Sequence, residues 1–425
     1  MDLLDFEAVE TAARRRALSI AGRVIQRVLN ADHGDHAGAT LACRCGSSAR
    51  YAGRRKKVLQ CSLGKMALER AYYHCSMCGQ GFFPRDRALG LEGTWLSPAV
   101  TRMVGAVGAM ESYQEGSDLL SELAGLDVDA KQVERTAKSL GREVQQDERE
   151  HVEPDAGAEV APTMYLGMDG TGVPMRKAEV AGRAGKQPDG TSKTREMKLC
   201  TVWTAEGRDE DGIPVRDQGS VTYTASIESA ATPVDGDDPS DFAKRCWREA
   251  VRRGFDRATR QVVLGDGAAW IWNIVTETFP NAVQILDRFH AKQHLSDVAK
   301  DVFGATSDLG KQWAKNRHDD LDEGRIDDLL AALRTHVDVN EEARKCIGYV
   351  QDNRHRMRYP EFRAAGLCTS SGVVEAGCKV AVGHRLKRAG MHWSVDGSNA
   401  IAALRCHRLS QRFEDFWERR AGRAA

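Results

Sequence analysis

Residues 261–290, QVVLGDGAAWIWNIVTETFPNAVQILDRFH, carry the clearest fold signals in the chain. Two short apolar runs, Val262–Leu264 and Val283–Leu286, are bounded by turn residues, and apolar residues recur three to four positions apart between them. The runs predict buried strands, and the spacing between them predicts a helix. Each strand ends at an aspartate, Asp266 or Asp287. Since ligands of open α/β sheets bind at the carboxyl ends of the strands, the stretch predicts a polar site at that edge.

Length and composition are typical of a soluble globular protein. The 425 residues allow about two to four domains, and 41% of them are hydrophobic and 29% charged. No apolar run approaches the ~20 residues that span a bilayer, and the acidic N-terminus lacks the features of a signal peptide. Eleven cysteines without a secretion signal indicate a reducing compartment and thiol or metal chemistry. We therefore expect a cytoplasmic protein with no membrane partner.

The net charge is zero, but the charges are unevenly distributed. Residues 1–95 carry 15 Lys and Arg against 9 Asp and Glu, and residues 341–425 carry 16 against 9. The middle of the chain, residues 96–340, is acidic, with 30 against 43. Two basic ends around an acidic centre suit a protein that grips a polyanion and coordinates cations centrally.

The N-terminal part predicts a helix followed by a metal site. Residues 1–38 contain an amphipathic helix whose arginines either are solvated or contact DNA. Residues 39–95 contain two cysteine pairs, each followed by a glycine that allows a tight turn: Cys43-Arg-Cys45-Gly and Cys75-Ser-Met-Cys78-Gly. Two pairs on separate turns favour a zinc-ribbon-like module with a structural Zn²⁺. Because the first pair is one residue shorter than usual, Cys61 is an alternative ligand, and structural or redox cysteines are the alternative to a metal site.

Residues 96–155 predict a helical module and a linker. Ser97-Pro98 is typical of a helix start, residues 113–124 form a second helix, and Asp129 caps a third, which is the outline of a helix-turn-helix. On the third helix, four basic residues that favour DNA contact over simple solvation share one face: Lys131, Arg135, Lys138 and Arg142. The earlier run Arg54–Lys57 is either a phosphate contact or a solvated run of charge. The acidic residues 145–155 predict the linker.

Strand signals begin at Ala161 and define the predicted core. Met164–Asp169 is an apolar run that ends in an aspartate and a glycine turn, and further strands follow at Glu196–Thr204 and around Thr222. Together with a helix and the strand–helix–strand unit quoted above, these elements follow the order of the ribonuclease-H-like fold, an α/β fold. In that fold the first strand lies in the centre of the sheet beside the fourth, which places Asp169 near Asp266. Residues 160–300 are therefore assigned to the first part of such a core.

Carboxylates at adjacent strand ends, joined by one from a helix packed beside them, would supply hard oxygen ligands. Mg²⁺ prefers such ligands, and two ions roughly 3.5–4 Å apart can stabilise the attacking and leaving oxygens of a phosphodiester displacement. Carboxylates brought together without a cation raise one another's pKa, so a site of this kind makes physical sense chiefly with metal bound. Taken alone, each of these acids is equally well a turn or cap residue.

Six blocks in the chain carry a resemblance to a known family. They are Met168-Asp-Gly-Thr-Gly, Leu264-Gly-Asp-Gly-Ala-Ala-Trp, Leu286-Asp-Arg-Phe-His-Ala-Lys-Gln-His-Leu, Asn353-Arg-His-Arg-Met-Arg-Tyr-Pro, Gly372-Val-Val-Glu and Arg385-Leu-Lys-Arg-Ala-Gly-Met-His-Trp-Ser. They resemble the conserved blocks of bacterial insertion-sequence DDE transposases of the ISKra type, which are related to Mutator-like enzymes. The resemblance extends over nearly the whole chain, including its cysteine-rich start.

The resemblance implies that Asp169, Asp266 and Glu375 form a DDE triad that binds two Mg²⁺ ions, for which Mn²⁺ can substitute. Asp287 and His290 match an auxiliary Asp-x-x-His signature beside the triad, and Asp287 in place of Asp266 is the main alternative ligand. The long interval before Glu375 implies a helical insertion at residues 300–350, with residues 351–425 supplying the C-terminal helices of the core. Further basic residues are implied as DNA contacts, with solvation as the alternative: Arg354, Arg356, Arg358, Lys379, Lys387 and Arg388.

The chain is therefore predicted to be a transposase that works on the bacterial nucleoid. It would bind the terminal inverted repeats of its element and target DNA as a homo-oligomer, cleave the strands and join them. Two alternatives stay open. One is a catalytically silent, transposase-derived DNA-binding regulator, and the other is a ribonuclease-H-like nuclease that hydrolyses without joining.

Overall fold

The computed structural model describes residues 5–154, 160–185, 187–232 and 238–424. They form a mixed α/β protein. The chain divides into two compact units, one made of Met1–Leu140 with Arg412–Ala425 and the other of Gly141–Gln411. Residues 351–425 were expected to complete the core. The end of this segment, Arg412–Ala425, instead groups with the N-terminal unit.

The N-terminal unit opens with a long helix and an antiparallel sheet of order β1-β2-β3-β4. Its elements are α1 (Phe6–Ala31), β1 (Thr40–Ala42), β2 (Ser48–Cys61), β3 (Gly64–His74), β4 (Gly81–Phe82), α2 (Pro84–Ala88), α3 (Pro98–Met110), α4 (Tyr113–Ala124) and the start of α5 (Ala130–Glu150). A register shift on β2 between Tyr51 and Arg54 changes which face of the sheet is buried. As a result, Met66 and Leu68 of β3 pack in one small core, while Ala71 and Tyr73 pack in another beside Cys43 and Cys75.

The three helices α3–α5 begin where the sequence predicts. The Ser97 side chain accepts a hydrogen bond from the Val100 amide, with Pro98 at the first helical position. Ser112 and Glu115 form a reciprocal capping box on α4, which ends at Gly125 in the left-handed conformation. The Asp129 carboxylate accepts from the Gln132 amide at the start of α5.

The predicted linker at residues 145–155 is wrong over its first part, because α5 continues to Glu150. The last turns of α5 carry a buried carboxylate, Glu148, which pairs with Arg245 at 3.2 Å and with His407 at 3.6 Å. These partners are distant in sequence, so a segment that looks like an acidic linker is held as helix. Residue 155 lies outside the described residues.

The sheet of the second unit has, among the described residues, five strands in the order β11-β10-β5-β6-β9. Their bounds are β5 (Thr163–Pro174), β6 (Thr194–Thr204), β9 (Thr222–Ser226), β10 (Arg260–Gly265) and β11 (Val283–Leu286), and a separate small ribbon pairs β7 (Gly207–Arg208) with β8 (Pro214–Val215). β10 runs parallel to both β5 and β11, and β6 is antiparallel to β5 and β9. The first strand of this unit therefore lies centrally beside the fourth, as the sequence predicts. The runs Val262–Leu264 and Met164–Leu166 are buried in the main core.

Helices cover this sheet and continue beyond it. They are α6 (Lys177–Val180), α7 (Asp241–Arg253), α8 (Ala269–Thr278), α9 (Arg288–Phe303), α10 (Asp308–Asp322), α11 (Ile326–Arg334), α12 (Glu341–Asn353), α13 (Tyr359–Ala364), α14 (Gly372–Gly377), α15 (His384–Leu386) and α16 (Val395–Leu409), with α17 (Phe413–Ala424) in the N-terminal unit. A π-helical segment, Cys378–Gly383, joins α14 to α15. Within the described ranges, the structure contains no helix both long and apolar enough to cross a bilayer.

Candidate metal site and carboxylate cluster

Four cysteines of the N-terminal unit lie close enough together to hold a metal ion such as zinc. Their sulfur atoms are all within 4.8 Å of one another: Cys43, Cys45, Cys75 and Cys78. The sulfurs of Cys43 and Cys78 are 3.7 Å apart, and so are those of Cys45 and Cys75. In a tetrahedral site with Zn–S bonds of about 2.3 Å, the sulfurs are about 3.8 Å apart. The observed spacing therefore fits a tetrahedral thiolate site.

Two tight turns bring the cysteines together. The first turn joins β1 to β2, where Gly46 has φ 85° and its amide donates to the Cys43 carbonyl. The second joins β3 to β4, where Gly79 has φ 70° and its amide donates to the Cys75 carbonyl. Any side chain with a Cβ is strained at these φ values, so the glycine after each second cysteine has a conformational reason.

The thiols of Cys45 and Cys78 differ in how readily they ionise. The pKa of Cys45 is lowered to about 6, mainly because the Ser47 amide donates to its sulfur, with help from the neighbouring sulfurs. The Gln80 amide acts to lower the pKa of Cys78, but burial and the other three sulfurs raise it to about 12. A bound cation would favour the thiolate form of all four.

Cys61, the alternative ligand, lies outside this group. Its thiol donates to the Gly64 carbonyl at 3.0 Å, and its side chain packs with Leu59 and Met66. The short Cys43-x-Cys45 pair therefore completes the cluster without it.

Asp169 lies within β5 and Asp266 directly follows β10, and these two strands are parallel neighbours. The predicted glycine turn after Asp169 is wrong, because β5 continues to Pro174 in pairing with β6. Leu264 of β10 pairs with Gly167 of β5, so the aspartate two residues after each of these falls at the same level of the sheet. The Asp169 carboxylate accepts from the Gly170 amide at 2.6 Å, and that of Asp266 accepts from the Ala268 amide at 2.9 Å. Burial raises the pKa of Asp169, the charge of Asp266 raises it further, and nearby His290 opposes this. The negative charge of Asp266 therefore acts on Asp169.

Asp287 has a different environment. It is buried and caps α9, where one carboxylate oxygen accepts from the His290 amide at 2.9 Å. The other oxygen accepts from the Ser371 amide. Both oxygens are thus bonded to backbone, and together they connect the start of α9 to the segment that leads into α14.

Glu375 lies on α14, which packs directly on β5. A Cβ at Gly167 would come within 2.2 Å of the Val374 side chain, so glycine allows this close approach. The Glu375 side chain is 56% exposed and pairs with Lys379 at 2.8 Å. Lys379 lowers the pKa of Glu375, and His290 adds to this effect. His290 therefore acts on both Asp169 and Glu375.

The three acids are more openly arranged than the cysteines. Among the described residues, only the four cysteines form a group of three or more candidate ligands whose ligand atoms all lie within 4.8 Å of one another. The donor set of Asp169, Asp266 and Glu375 is nevertheless suited to a hard cation, since all three offer carboxylate oxygens. Mutual repulsion between carboxylates is also what a cation would relieve.

Two further residues contact this carboxylate cluster and were not predicted. The buried Cys378 forms a side-chain hydrogen bond with Asp169, and its own pKa is raised by burial and by that negative charge. The Tyr349 hydroxyl donates to the Asp266 backbone carbonyl at 3.0 Å, and its ring lies against Gly267. Cys378 follows Glu375 by three residues, so the i, i+3 spacing of a helix could have predicted that both side chains lie on the same face. No local signal points to Tyr349, which is 83 residues from Asp266.

Most of the predicted DNA-contacting residues have partners within the fold. On α5, Glu134 pairs with Lys131 and Lys138 at 3.0 and 2.5 Å, Arg142 pairs with Asp396 at 2.6 Å, and Arg135 is exposed. In the run at residues 54–57, three residues form ion pairs: Arg54 with Asp35, Lys56 with Glu69, and Lys57 with Asp86. Arg55 lies over the Tyr72 ring. A lysine or arginine in an exposed pair can exchange its partner at little cost.

Most of the basic residues of the C-terminal part also form ion pairs or hydrogen bonds within the fold. Arg354 pairs with Asp327, Arg358 with Glu361, and Lys379 with Glu375. Arg356 donates to Gln284 and lies over the Trp272 ring at 4.3 Å, which makes it part of the packing. Lys387 donates to the Thr171 hydroxyl at 2.7 Å, just beyond Asp169 on β5, and Arg388 is half-buried.

The fold and the sites define a mixed α/β protein with a group of four cysteines that could hold a metal ion. The second unit brings together two aspartates on neighbouring strands and a glutamate on a helix packed over one of these strands. The model of the uncharacterised protein family UPF0236 matches residues 47–413, and the chain belongs to this family. A search of curated proteins finds no match.

Proposed function

We propose that this protein is a DDE transposase of a bacterial insertion sequence, resembling the ISKra type. The observation that carries the proposal is the level placement of Asp169 and Asp266 on adjacent strands, with Glu375 on a helix packed over the same strand. The six sequence blocks support it independently, because they contain all three acids in one order.

In this proposal the second unit is a ribonuclease-H-like core with a helical insertion at residues 300–350. The strand order β11-β10-β5-β6-β9 and its mixture of parallel and antiparallel pairs support the assignment. The first unit would be a DNA-end-binding region, with a zinc-ribbon-like module around the four cysteines and helices α3–α5 beside it. Its two glycine turns and the sulfur spacing support the zinc-ribbon interpretation.

Asp169, Asp266 and Glu375 would hold the divalent ions, Mg²⁺ or Mn²⁺. When bound, these ions would supply charge stabilisation at the attacking and leaving oxygens of the phosphodiester. The protein's own contribution is to bring the carboxylates to one strand edge and to hold Asp266 through the Tyr349 contact. Asp287 is less suited to be a ligand than Asp266, because both of its oxygens already accept backbone hydrogen bonds.

The proposed reaction has two displacements. Water attacks the phosphodiester at the end of the element, which leaves a 3′-hydroxyl and a 5′-phosphate. The 3′-hydroxyl then attacks a phosphodiester of target DNA, forming one new bond and releasing a 3′-hydroxyl of the target. Lys387, whose ammonium group donates to Thr171 on β5, would contact a DNA phosphate.

The test uses the purified chain, a labelled duplex carrying the terminal repeats, target DNA and Mg²⁺. Asp169→Asn, Asp266→Asn and Glu375→Gln should each reduce cleavage at least a hundredfold, while Asp308→Asn, at an almost fully exposed carboxylate, should not. Retained Mg²⁺-dependent cleavage in all three triad variants would refute the proposal. Cleavage without joined products would favour the nuclease, and end binding without cleavage would favour the regulator.

A further inference from the structure

Strands β5 and β6 extend beyond the other strands of their sheet. β10 pairs with β5 only as far as Gly167, and the pairing of β9 with β6 ends at Lys198. β5 and β6 nevertheless remain paired as far as Pro174 and Thr194. They therefore form a two-stranded ribbon that begins next to Asp169. At about 3.3 Å per residue, the end of the ribbon at Pro174 lies roughly 17 Å along the strand from Asp169.

Residues that follow α15 support this ribbon. The Trp393 amide donates to the Pro174 carbonyl at 3.1 Å, and the Trp393 carbonyl accepts from the Arg176 amide at 2.8 Å. Lys387 adds a hydrogen bond to the Thr171 hydroxyl in the middle of the ribbon. These contacts hold the ribbon in a defined place relative to the strands that carry the two aspartates.

The connection at the end of the ribbon, residues 176–195, is a basic tip within the acidic middle of the chain. It contains six Lys and Arg against two Asp and Glu, whereas residues 96–340 as a whole contain 30 against 43. Burial and the charge of Arg183 lower the pKa of Arg195, and Glu179 opposes this, so like charges act on one another here. Among the described residues, five cations of the tip form neither an ion pair nor a side-chain hydrogen bond: Arg176, Lys177, Arg183, Lys193 and Arg195. They differ in this from most of the basic residues that the sequence predicts as DNA contacts.

The basic tip also has a concave surface. A cavity of about 780 Å³ lies against it, and Lys177, Arg183 and Lys193 are among the residues that line this cavity. Pro174 at the end of the ribbon and His392 beside Trp393 complete the part of the lining that connects the tip to the ribbon. Three cations without partners therefore face one recess, as expected of a surface that takes an anionic ligand.

We propose that the basic tip binds the phosphate backbone of duplex DNA about five base pairs from the phosphodiester held at the carboxylates. Since successive phosphates of one strand are about 3.4 Å apart along the helix axis, the 17 Å ribbon spans roughly five of them. Contacts of this kind position the duplex without reading its sequence. The inference rests on the proposed function for the identity of the polyanion and for the place of the reacting phosphodiester.

The first experiment measures binding of the full-length chain to a labelled duplex by fluorescence anisotropy, in EDTA and over a series of KCl concentrations. Arg183→Ala with Lys193→Ala should weaken binding about tenfold or more near 0.1 M KCl. The slope of log K against log [KCl] should fall by about two, since each lost phosphate contact removes roughly 0.9. Arg183→Lys with Lys193→Arg should keep the slope of the wild-type chain, because both charges remain.

The matched control is Lys300→Ala with Lys311→Ala. It removes the same charge from exposed lysines that already pair with Asp297 and Asp308, and it should leave the slope unchanged. Circular dichroism should be the same for all variants, since the substituted side chains are exposed. A wild-type chain that does not bind the duplex, or an unchanged slope in the alanine variant of the tip, would overturn the inference.

The second experiment tests the distance from the carboxylates with duplexes that carry one neutral methylphosphonate linkage at successive positions. In the wild-type chain, neutral linkages about five base pairs to one side of the cleavage position should weaken binding. The same linkages should have little further effect on Arg183→Ala with Lys193→Ala, because the contact is already lost. An equal penalty in both proteins would overturn the placement of the tip on the DNA.

Failure of this inference and failure of the proposed function give different results. Normal cleavage in the wild-type chain together with binding that ignores the tip variants would overturn the inference alone. Because the binding measurements need no metal, tip-dependent binding by a chain that cleaves no DNA would refute the proposed function and retain the DNA-binding surface.

Discussion

Val374 of α14 lies directly over Gly167 of β5, where a Cβ would fall 2.2 Å from the valine Cγ2. This contact determines the height of Glu375 above the strand that carries Asp169. Strand β5 thus positions Asp169 directly, and it positions Glu375 through helix α14, which packs on it.

Gly167→Ala should therefore destabilise the chain by about 1–3 kcal/mol, because the added methyl must push α14 away from a filled core. Urea unfolding would measure this effect. Gly348→Ala is the matched control, since a methyl group added there on helix α12 would have no atom within 4 Å, and it should stabilise by roughly 0.5–1 kcal/mol. Equal stability of the two variants would contradict the packing described for α14.

Zinc binding by the cysteine cluster can be tested separately from any DNA chemistry. The purified chain should carry about one equivalent of tetrahedrally bound zinc, and Cys75→Ser should lose it together with part of the thermal stability of the N-terminal unit. Cys61→Ser should keep the metal, because Cys61 bonds to Gly64 and lies outside the cluster. Metal loss in Cys61→Ser, with retention in Cys75→Ser, would exclude the four-cysteine site.

Asp169 should reduce the stability of the chain in the absence of divalent ions. Its pKa is raised in the folded state, mainly by burial and also by Asp266, so its contribution to stability is complete at low pH and is lost as the pH rises through the folded pKa. Asp169→Asn should therefore raise the unfolding temperature at pH 7 in Mg²⁺-free buffer. This increase in unfolding temperature should become smaller as the pH falls below about 4, because the Asp169 carboxyl of the wild-type chain is then protonated.

Mg²⁺ should stabilise the wild-type chain but not Asp169→Asn. Unfolding with and without Mg²⁺ therefore separates the loss of a destabilising charge from the loss of a metal ligand. Asp308→Asn should behave as wild type under both conditions, because the Asp308 side chain is 95% exposed. An unfolding temperature for Asp169→Asn below that of wild type in Mg²⁺-free buffer would show that the carboxylate is stabilising.

Glu148 should have the opposite dependence on pH. Burial acts to raise its pKa, but His407, Arg245 and Arg252 together lower it to about 2 from an ordinary value of 4.5. The stability it contributes is therefore present above pH 4.5 and lost as the pH falls towards 2. Glu148→Gln should cost about 3–5 kcal/mol at pH 7, because it leaves the buried Arg245 charge without one of its partners.

The matched comparison for Glu148 is Glu150→Gln, at an exposed position on the same helix. Its unfolding free energy should stay within about 0.5 kcal/mol of wild type. If the two glutamine variants were equally stable between pH 7 and pH 3, Glu148 would not be part of a buried charge network.

Sequence patterns were sufficient for the elements whose signals are local. Val262–Leu264 and Val283–Leu286 form β10 and β11, and the helix between them is α8. The caps at Ser97 and Asp129 are also in place, since capping depends on residues within one turn. The glycine turn within each cysteine pair is local, whereas the two pairs meet because β2 pairs with β3.

Contacts between residues distant in the chain could not be obtained in this way. Residues 145–150 have the composition of an acidic linker, and contacts with the distant residues Arg245, Arg252 and His407 hold Glu148 in a helix that is buried at its end. The stripe on α5 looks free for DNA, yet Arg142 pairs with Asp396, 254 residues away. Tyr349 behind Asp266 likewise has no local signal.

Local sequence signals were enough for β10, β11 and the helix between them, for the helix starts at Ser97 and Asp129, and for the two cysteine turns, because periodicity, capping and turn chemistry act over a few residues. Long-range packing, by contrast, brings the Ser371 amide to the second carboxylate oxygen of Asp287, 84 residues away, and brings Cys378 to Asp169. The physical reason is that burial and charge pairing depend on which distant segments pack together, and neither quantity is a property of a short stretch of chain.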